Sequence, residues 1–97
     1  MTGLISEWDP KKAALSLARH AVSFEEAATC FGDPVSITID DTIRSEAEDR
    51  FVLIGSAERN RLVVVAFTER GDRLRIITAR LATLRGRNDY ERRITHP

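Results

Sequence analysis

The apolar positions of this chain change period several times, and the longest ordered stretch they mark is 61–80, RLVVVAFTERGDRLRIITAR. Two runs within it, 62–68 and 74–79, are rich in β-branched residues (Val63, Val64, Val65, Ile76, Ile77), which suit a pleated surface buried on at least one face. The polar segment Glu69-Arg70-Gly71-Asp72-Arg73 between them predicts a hairpin turn, with Gly71 supplying a positive φ. Earlier in the chain, 4–7 is short enough for a strand that ends at Trp8. Asp9-Pro10 then predicts a helix start, Asp9 as the N-cap and Pro10 in the first helical position. Ala13, Ala14, Leu17 and Ala21 recur at helical spacing as a small-residue core face, while Lys12, Ser16, Arg19 and His20 fall on an adjoining face. Ser23-Phe24-Glu25-Glu26 matches a capping box, with Val22 placed to pack onto Ala27. That second helix is expected to bury Phe24, Ala27, Ala28 and Phe31 and to stop at Gly32, ahead of Asp33-Pro34.

Val35, Ile37 and Ile39 alternate with Ser36, Thr38 and Asp40, the pattern of a half-buried strand. Positions 41–49 are polar and acidic and predict a loop; 51–54 resumes as a strand. The turn over 55–60 contains Asn60, a residue that tolerates the left-handed region. Positions 81–94 predict a basic terminal helix weakened by Gly86. The order β-α-α-β-β-β-β-α predicts an α+β domain: an antiparallel sheet of about four strands, two N-terminal helices on one face, and a C-terminal helix.

Length and composition narrow the class. Ninety-seven residues make one domain, here 1–97, and 42% hydrophobic with 31% charged residues is the balance of a globular chain, not a disordered one. No apolar run approaches the roughly 18–20 residues that span a bilayer, and the N-terminus lacks the apolar core of a signal peptide. Cys30 is the single cysteine, which excludes an internal disulfide and fits a reducing, cytoplasmic location. With only His20 and His96 beside it, no zinc-ligand spacing can be assembled, and neither metal nor other cofactor is expected.

Net charge is zero, but the halves differ: positions 1–49 carry four basic against ten acidic side chains, and 50–97 carry eleven arginines against five acids. Five of those arginines (Arg61, Arg70, Arg73, Arg75, Arg80) punctuate the hairpin. Planar guanidinium groups on a rigid floor suit a phosphate-rich ligand; equally, such charges on a sheet edge discourage aggregation. No helix-turn-helix pattern appears, so direct DNA binding is not expected.

The pieces EWDPKKA, RHAVSFEEA, FGDP, RLVVVAFTER, LRIITAR and ATLRGRNDYE occur in the order seen in the BrnT family of type II toxins, which the chain resembles from about Glu7 to Glu91. The resemblance implies a RelE-like fold and a ribonuclease that inhibits translation. It also implies a cognate BrnA-type antitoxin that carries a DNA-binding domain, so that the chain meets operator DNA only through that partner. Trp8, Asp9, Lys12, Ala13 and His20 match the family pattern in the first helix, and Arg61, Arg75, Arg80 and Tyr90 match it in the sheet and final helix. Ser16 stands where an asparagine is usual, Ala21 and Asn60 replace glycines, Thr78 replaces a serine, and Gly86 stands where a glutamate is expected. If that carboxylate acts in catalysis, the alternative is a weak or inactive homologue that serves as an antitoxin-binding module in operon autoregulation.

Cleavage of this kind generally uses the ribose 2′-OH as nucleophile, so the protein must move protons and neutralise a phosphorane. An imidazole can take either proton role near neutral pH, which nominates His20; near a helix end it could instead complement the dipole. Arg75, Arg80 and Lys12 complete the expected catalytic set, with Arg19, Arg61, Arg70 and Tyr90 as RNA- or phosphate-binding candidates. In a regular strand Arg75 and Arg80, an odd number apart, would point to opposite faces. Trp8 and Cys30 are expected in the core.

Overall fold

The computed structural model describes residues 5–41 and 50–95, with side chains through position 92. The expected polar loop falls outside the described residues from position 42 to 49. Strand β1 spans Ile5–Glu7, helix α1 Pro10–His20 and helix α2 Phe24–Thr29, the last continuing into one 3₁₀ turn, Cys30–Gly32. Strands β2 (Ile37–Asp40), β3 (Phe51–Ser56), β4 (Leu62–Arg70) and β5 (Arg73–Leu81) follow, then helix α3 (Leu84–Thr95).

The helix starts form as the sequence dictates. Asp9 accepts from the Lys11 amide at 2.9 Å, and Ser23 accepts from the Glu26 amide at 3.0 Å. The second half of the expected capping box does not close, because the Glu26 carboxylate binds Arg61 instead. Gly71 and Asn60 both take positive φ, 62° and 61°, at the two turns that need it.

The described strands form one mixed five-stranded sheet in the order β1-β5-β4-β3-β2. This corrects the expectation of about four antiparallel strands. β1 lies parallel to β5, pairing Ile5 with Arg73 and Glu7 with Arg75, because α1 and α2 carry the chain across the sheet to β2 at the far edge. A three-residue strand has no alternation to read, and its Glu7 carboxylate reaches both Arg73 (3.5 Å) and Arg75 (3.2 Å).

The main core lies between the sheet and α1–α2. Val63, Val65, Phe67, Leu74, Ile76 and Ala79 meet Val22, Phe24, Ala27 and Cys30 there. Trp8 packs edge-on to Phe24, and Phe31 edge-on to Phe67, which itself stacks with Phe51. A smaller cluster of Ile54, Leu62, Val64 and Tyr90 forms on the opposite face under α3. Of the small-residue face expected for α1, only Ala13 packs against the main core, while Ala14, Leu17 and Ala21 are exposed. Leu17 is 53% exposed while Ser16 is buried, because the Ser16 hydroxyl donates to the Ala79 carbonyl of β5 at 2.9 Å and turns that side of the helix to the sheet.

One irregularity fixes the geometry of everything downstream. Thr78 pairs with Ala66 and Ile76 with Phe67, so Ile77 has no opposite number and bulges from β5. The extra residue reverses the side-chain alternation along the strand. Arg75, opposite Thr68, and Arg80, opposite Val64, therefore project from the same face, the one that α3 partly covers. Their predicted separation onto opposite faces is corrected by that bulge.

A cationic cleft at the open edge of the sheet

β1 covers only Arg73–Arg75, so among the described residues the rest of β5 has no strand on its outer side. α1 runs beside this open edge, and between the two lies a cleft of about 230 Å³ lined by Lys12, Leu15, Ser16, Arg19, His20, Ile77 and Thr78. Lys12, Ser16, Arg19 and His20 stand three and four residues apart on the helix, which gathers them over one wall. The opposite wall is the bulge itself, Ile77 with Thr78. Leu15 and Ile77 add apolar surface to the two walls, and among the described residues no carboxylate lines the cleft. Three groups able to carry positive charge thus face a space with no compensating acid among the described residues, an arrangement that attracts an anion.

The structure brings together Lys12, Arg19 and His20 of the expected site residues, and places the others elsewhere. Arg80 is exposed two residues beyond Thr78 on the same sheet face, its guanidinium near the Leu81 carbonyl at 3.4 Å. Arg75 shares that face but is engaged by Glu7. Arg70 stands at the turn end of the hairpin, paired across it with Arg73.

Arg61, half-buried, is taken up by a carboxylate and a carbonyl. Its Nε donates to Glu26 Oε2 at 2.9 Å, and its Nη2 donates both to Glu26 Oε1 and, at 2.8 Å, to the Ala21 carbonyl. The hydrogen bond from Arg61 outweighs the effect of burial and holds the Glu26 carboxyl below its ordinary range. Tyr90 is buried, its hydroxyl donating to Asp33 Oδ2 at 2.6 Å. Burial first, and then the bond to an ionised carboxylate, push the phenol up to about 12. Asp33 also accepts from the Ser56 amide at 2.8 Å and the Val35 amide at 3.0 Å. Burial alone would raise its carboxyl, but these three donors together hold it low. Arg61 and Tyr90 thus anchor elements to one another.

Gly86 lies on α3, where a Cβ would meet Ile54 Cδ1 at 3.7 Å, on the sheet face away from the main core. It does not line the cleft. Sequence reasoning missed the roles of Ser16, Glu26 and Asp33. The capping box accounted for Glu26 locally, and nothing in the pattern around Ser16 signalled a bond to a strand 63 residues away.

An α+β chain with this sheet and a basic cleft at its edge is similar in fold to the ribonuclease toxin BrnT of Brucella abortus, known at 1.1 Å resolution. The TM-score is 0.62 at 22% identity, covering 84% of this chain and 99% of that one. The family of the ribonuclease toxin BrnT, of type II toxin-antitoxin systems, matches residues 8–85, and this chain belongs to it. No curated protein matches the chain.

Proposed function

We propose that this toxin is a metal-independent endoribonuclease whose RNA strand crosses the open edge of β5. Lys12 and Arg19 bind phosphate in the cleft, Thr78 marks the rim, and Arg80 receives the next phosphate on the sheet face. His20 takes the 2′-hydroxyl proton as that oxygen attacks phosphorus. The P–O5′ bond breaks, and the imidazolium returns the proton to the departing 5′ oxygen, leaving a 2′,3′-cyclic phosphate and a 5′-hydroxyl. Lys12 and Arg19 balance the charge that develops on the phosphorane. Arg75, paired with Glu7 at 3.2 Å, takes no part in the chemistry. Arg70 meets RNA only if the strand continues toward the hairpin turn.

The observation that carries this reading is the convergence of Lys12, Arg19 and His20 on one cleft that no carboxylate lines among the described residues. Gly86 lies against Ile54, not in the cleft, which supports placing the chemistry on α1 and β5. By cleaving RNA the toxin would inhibit translation in the cytoplasm, until a BrnA-type antitoxin, the partner that reads operator DNA, covers the cationic surface.

Induced expression without antitoxin tests the reading in cells. Wild type should arrest growth with RNA decay, and the soluble His20→Ala and Arg19→Ala variants should not. A folded wild-type chain that leaves growth and RNA untouched would instead favour an antitoxin-binding module without catalysis.

A further inference from the structure

The turn that follows His20 is held from outside the helix. Ala21 adopts φ 58°, ψ 29°, and its N–H closes α1 onto the Leu17 carbonyl at 3.0 Å. Without a side-chain cap, a non-glycine residue in this conformation carries a steric cost that surrounding contacts must offset. Two side chains approach the two carbonyls after His20, and the hydrogen bond from Arg61 is the strong one. The Ala21 carbonyl accepts from Arg61 at 2.8 Å, and the Val22 carbonyl lies 3.5 Å from the Ser16 hydroxyl.

Arg61 is itself fixed from several directions. Its carbonyl accepts from the Ala57 amide at 2.8 Å, and the turn between them closes through Asn60 in the left-handed region, with Asn60 N–H to the Ala57 carbonyl at 2.9 Å. The neighbouring Glu58 amide donates to Thr29 Oγ1 at 2.8 Å, tying the same turn to the end of α2. The Glu26 carboxylate, 5% exposed, takes the guanidinium fork from below. A chain of contacts therefore runs from the β3–β4 turn through Arg61 to the residue next to His20.

We propose that Arg61 and Glu26 are positioning residues: the pair fixes the αL turn at Ala21 and so aims His20 and Arg19 into the cleft. This rests on the reading of the cleft as the RNA site. Arg61 contacts no RNA. The fork geometry matters, because a lysine ammonium cannot offer two parallel donors to Glu26 and a third to the Ala21 carbonyl.

The test compares wild type, Arg61→Lys, Arg61→Gln, Glu26→Gln, Lys12→Gln and His20→Ala. Single-turnover and steady-state cleavage of a short single-stranded RNA would be measured, with binding of its uncleavable 2′-deoxy analogue across a salt series. Amide exchange would be followed at Ala21 and at Val63 and Val65 in the core. Arg61→Lys and Glu26→Gln should speed exchange at Ala21 while Val63 and Val65 stay protected. They should lower kcat by on the order of tenfold to a hundredfold, with KM and salt slope unchanged. Lys12→Gln should instead reduce the salt slope by about 0.7, the signature of a lost phosphate contact on a single strand.

A fall in salt slope for Arg61→Gln like that of Lys12→Gln would make Arg61 an RNA contact and overturn the proposal. So would unchanged Ala21 exchange, or loosened exchange with kcat intact. Should Arg61 variants fail to fold, Glu26→Gln decides by the same readouts. His20→Ala cleaving like wild type would refute the assignment of the cleft, while exchange at Ala21 would still decide whether the pair holds the turn.

Discussion

Asp33 is where the C-terminal helix, the β2 approach and β3 meet, and Asp33→Ala should be among the costliest single changes at a half-buried position. Its carboxylate accepts three bonds, from the Tyr90 hydroxyl at 2.6 Å, the Ser56 amide at 2.8 Å and the Val35 amide at 3.0 Å. Hydrogen bonds to a charged group contribute about 1.5–3 kcal/mol each where water cannot substitute. Asp33 is only half-buried, so water can replace part of that network, and the total should be about 2–4 kcal/mol. For a domain of this size that is roughly 10–25 °C in melting temperature.

Urea titration of wild type, Asp33→Ala, Tyr90→Phe and the double variant, followed by circular dichroism, measures the loss and its coupling. Tyr90→Phe alone should cost about 1 kcal/mol, and the double variant little more than Asp33→Ala, because both remove the same bond. The pH dependence has a fixed sign. The folded carboxyl sits below its unfolded value, so its contribution is complete above about pH 4 and disappears as pH falls through the folded pKa. The gap between wild type and Asp33→Ala should therefore narrow in acid. A loss under about 1 kcal/mol at neutral pH, or costs for Asp33→Ala and Tyr90→Phe that simply add, would refute the reasoning.

Cys30 is fully buried, and burial, then the charges of Glu26 and Asp33, push its thiol up to about 12; its alkylation at pH 8 should track global unfolding, as a denaturant series with a thiol reagent would reveal. Gly86→Ala should stabilise the chain by about 0.5–1 kcal/mol, because the added Cβ meets only ordinary contacts at 3.6–3.7 Å and the helix loses a flexible residue; thermal melts check it.

Local chemistry made most elements legible. Asp9-Pro10, Ser23, Gly71 and Asn60 each act where their conformational preferences say they must, and the β-branched runs became β4 and β5. What the sequence concealed depends on distant pairing. The parallel β1 is too short to carry a period. The bulge at Ile77 is invisible in a run of apolar residues, yet it decides that Arg75 and Arg80 share a face. At the cleft, the helical spacing of Lys12, Arg19 and His20 survived folding intact. Arg61 and Tyr90 carried the same family signal but turned to carboxylates, Glu26 and Asp33, that lie 35 and 57 residues away in the chain. An arginine in a sequence does not announce whether its partner will be a phosphate or a buried acid.

The most direct measurement is cleavage of a defined single-stranded RNA by the purified toxin in excess chelator, with the termini of the products analysed. Wild type should yield 2′,3′-cyclic phosphate and 5′-hydroxyl ends, and a folded His20→Ala variant should yield none. Cleavage by His20→Ala at the wild-type rate, or wild-type cleavage only after a divalent metal is restored, would contradict the assignment of the chemistry to the α1 cleft.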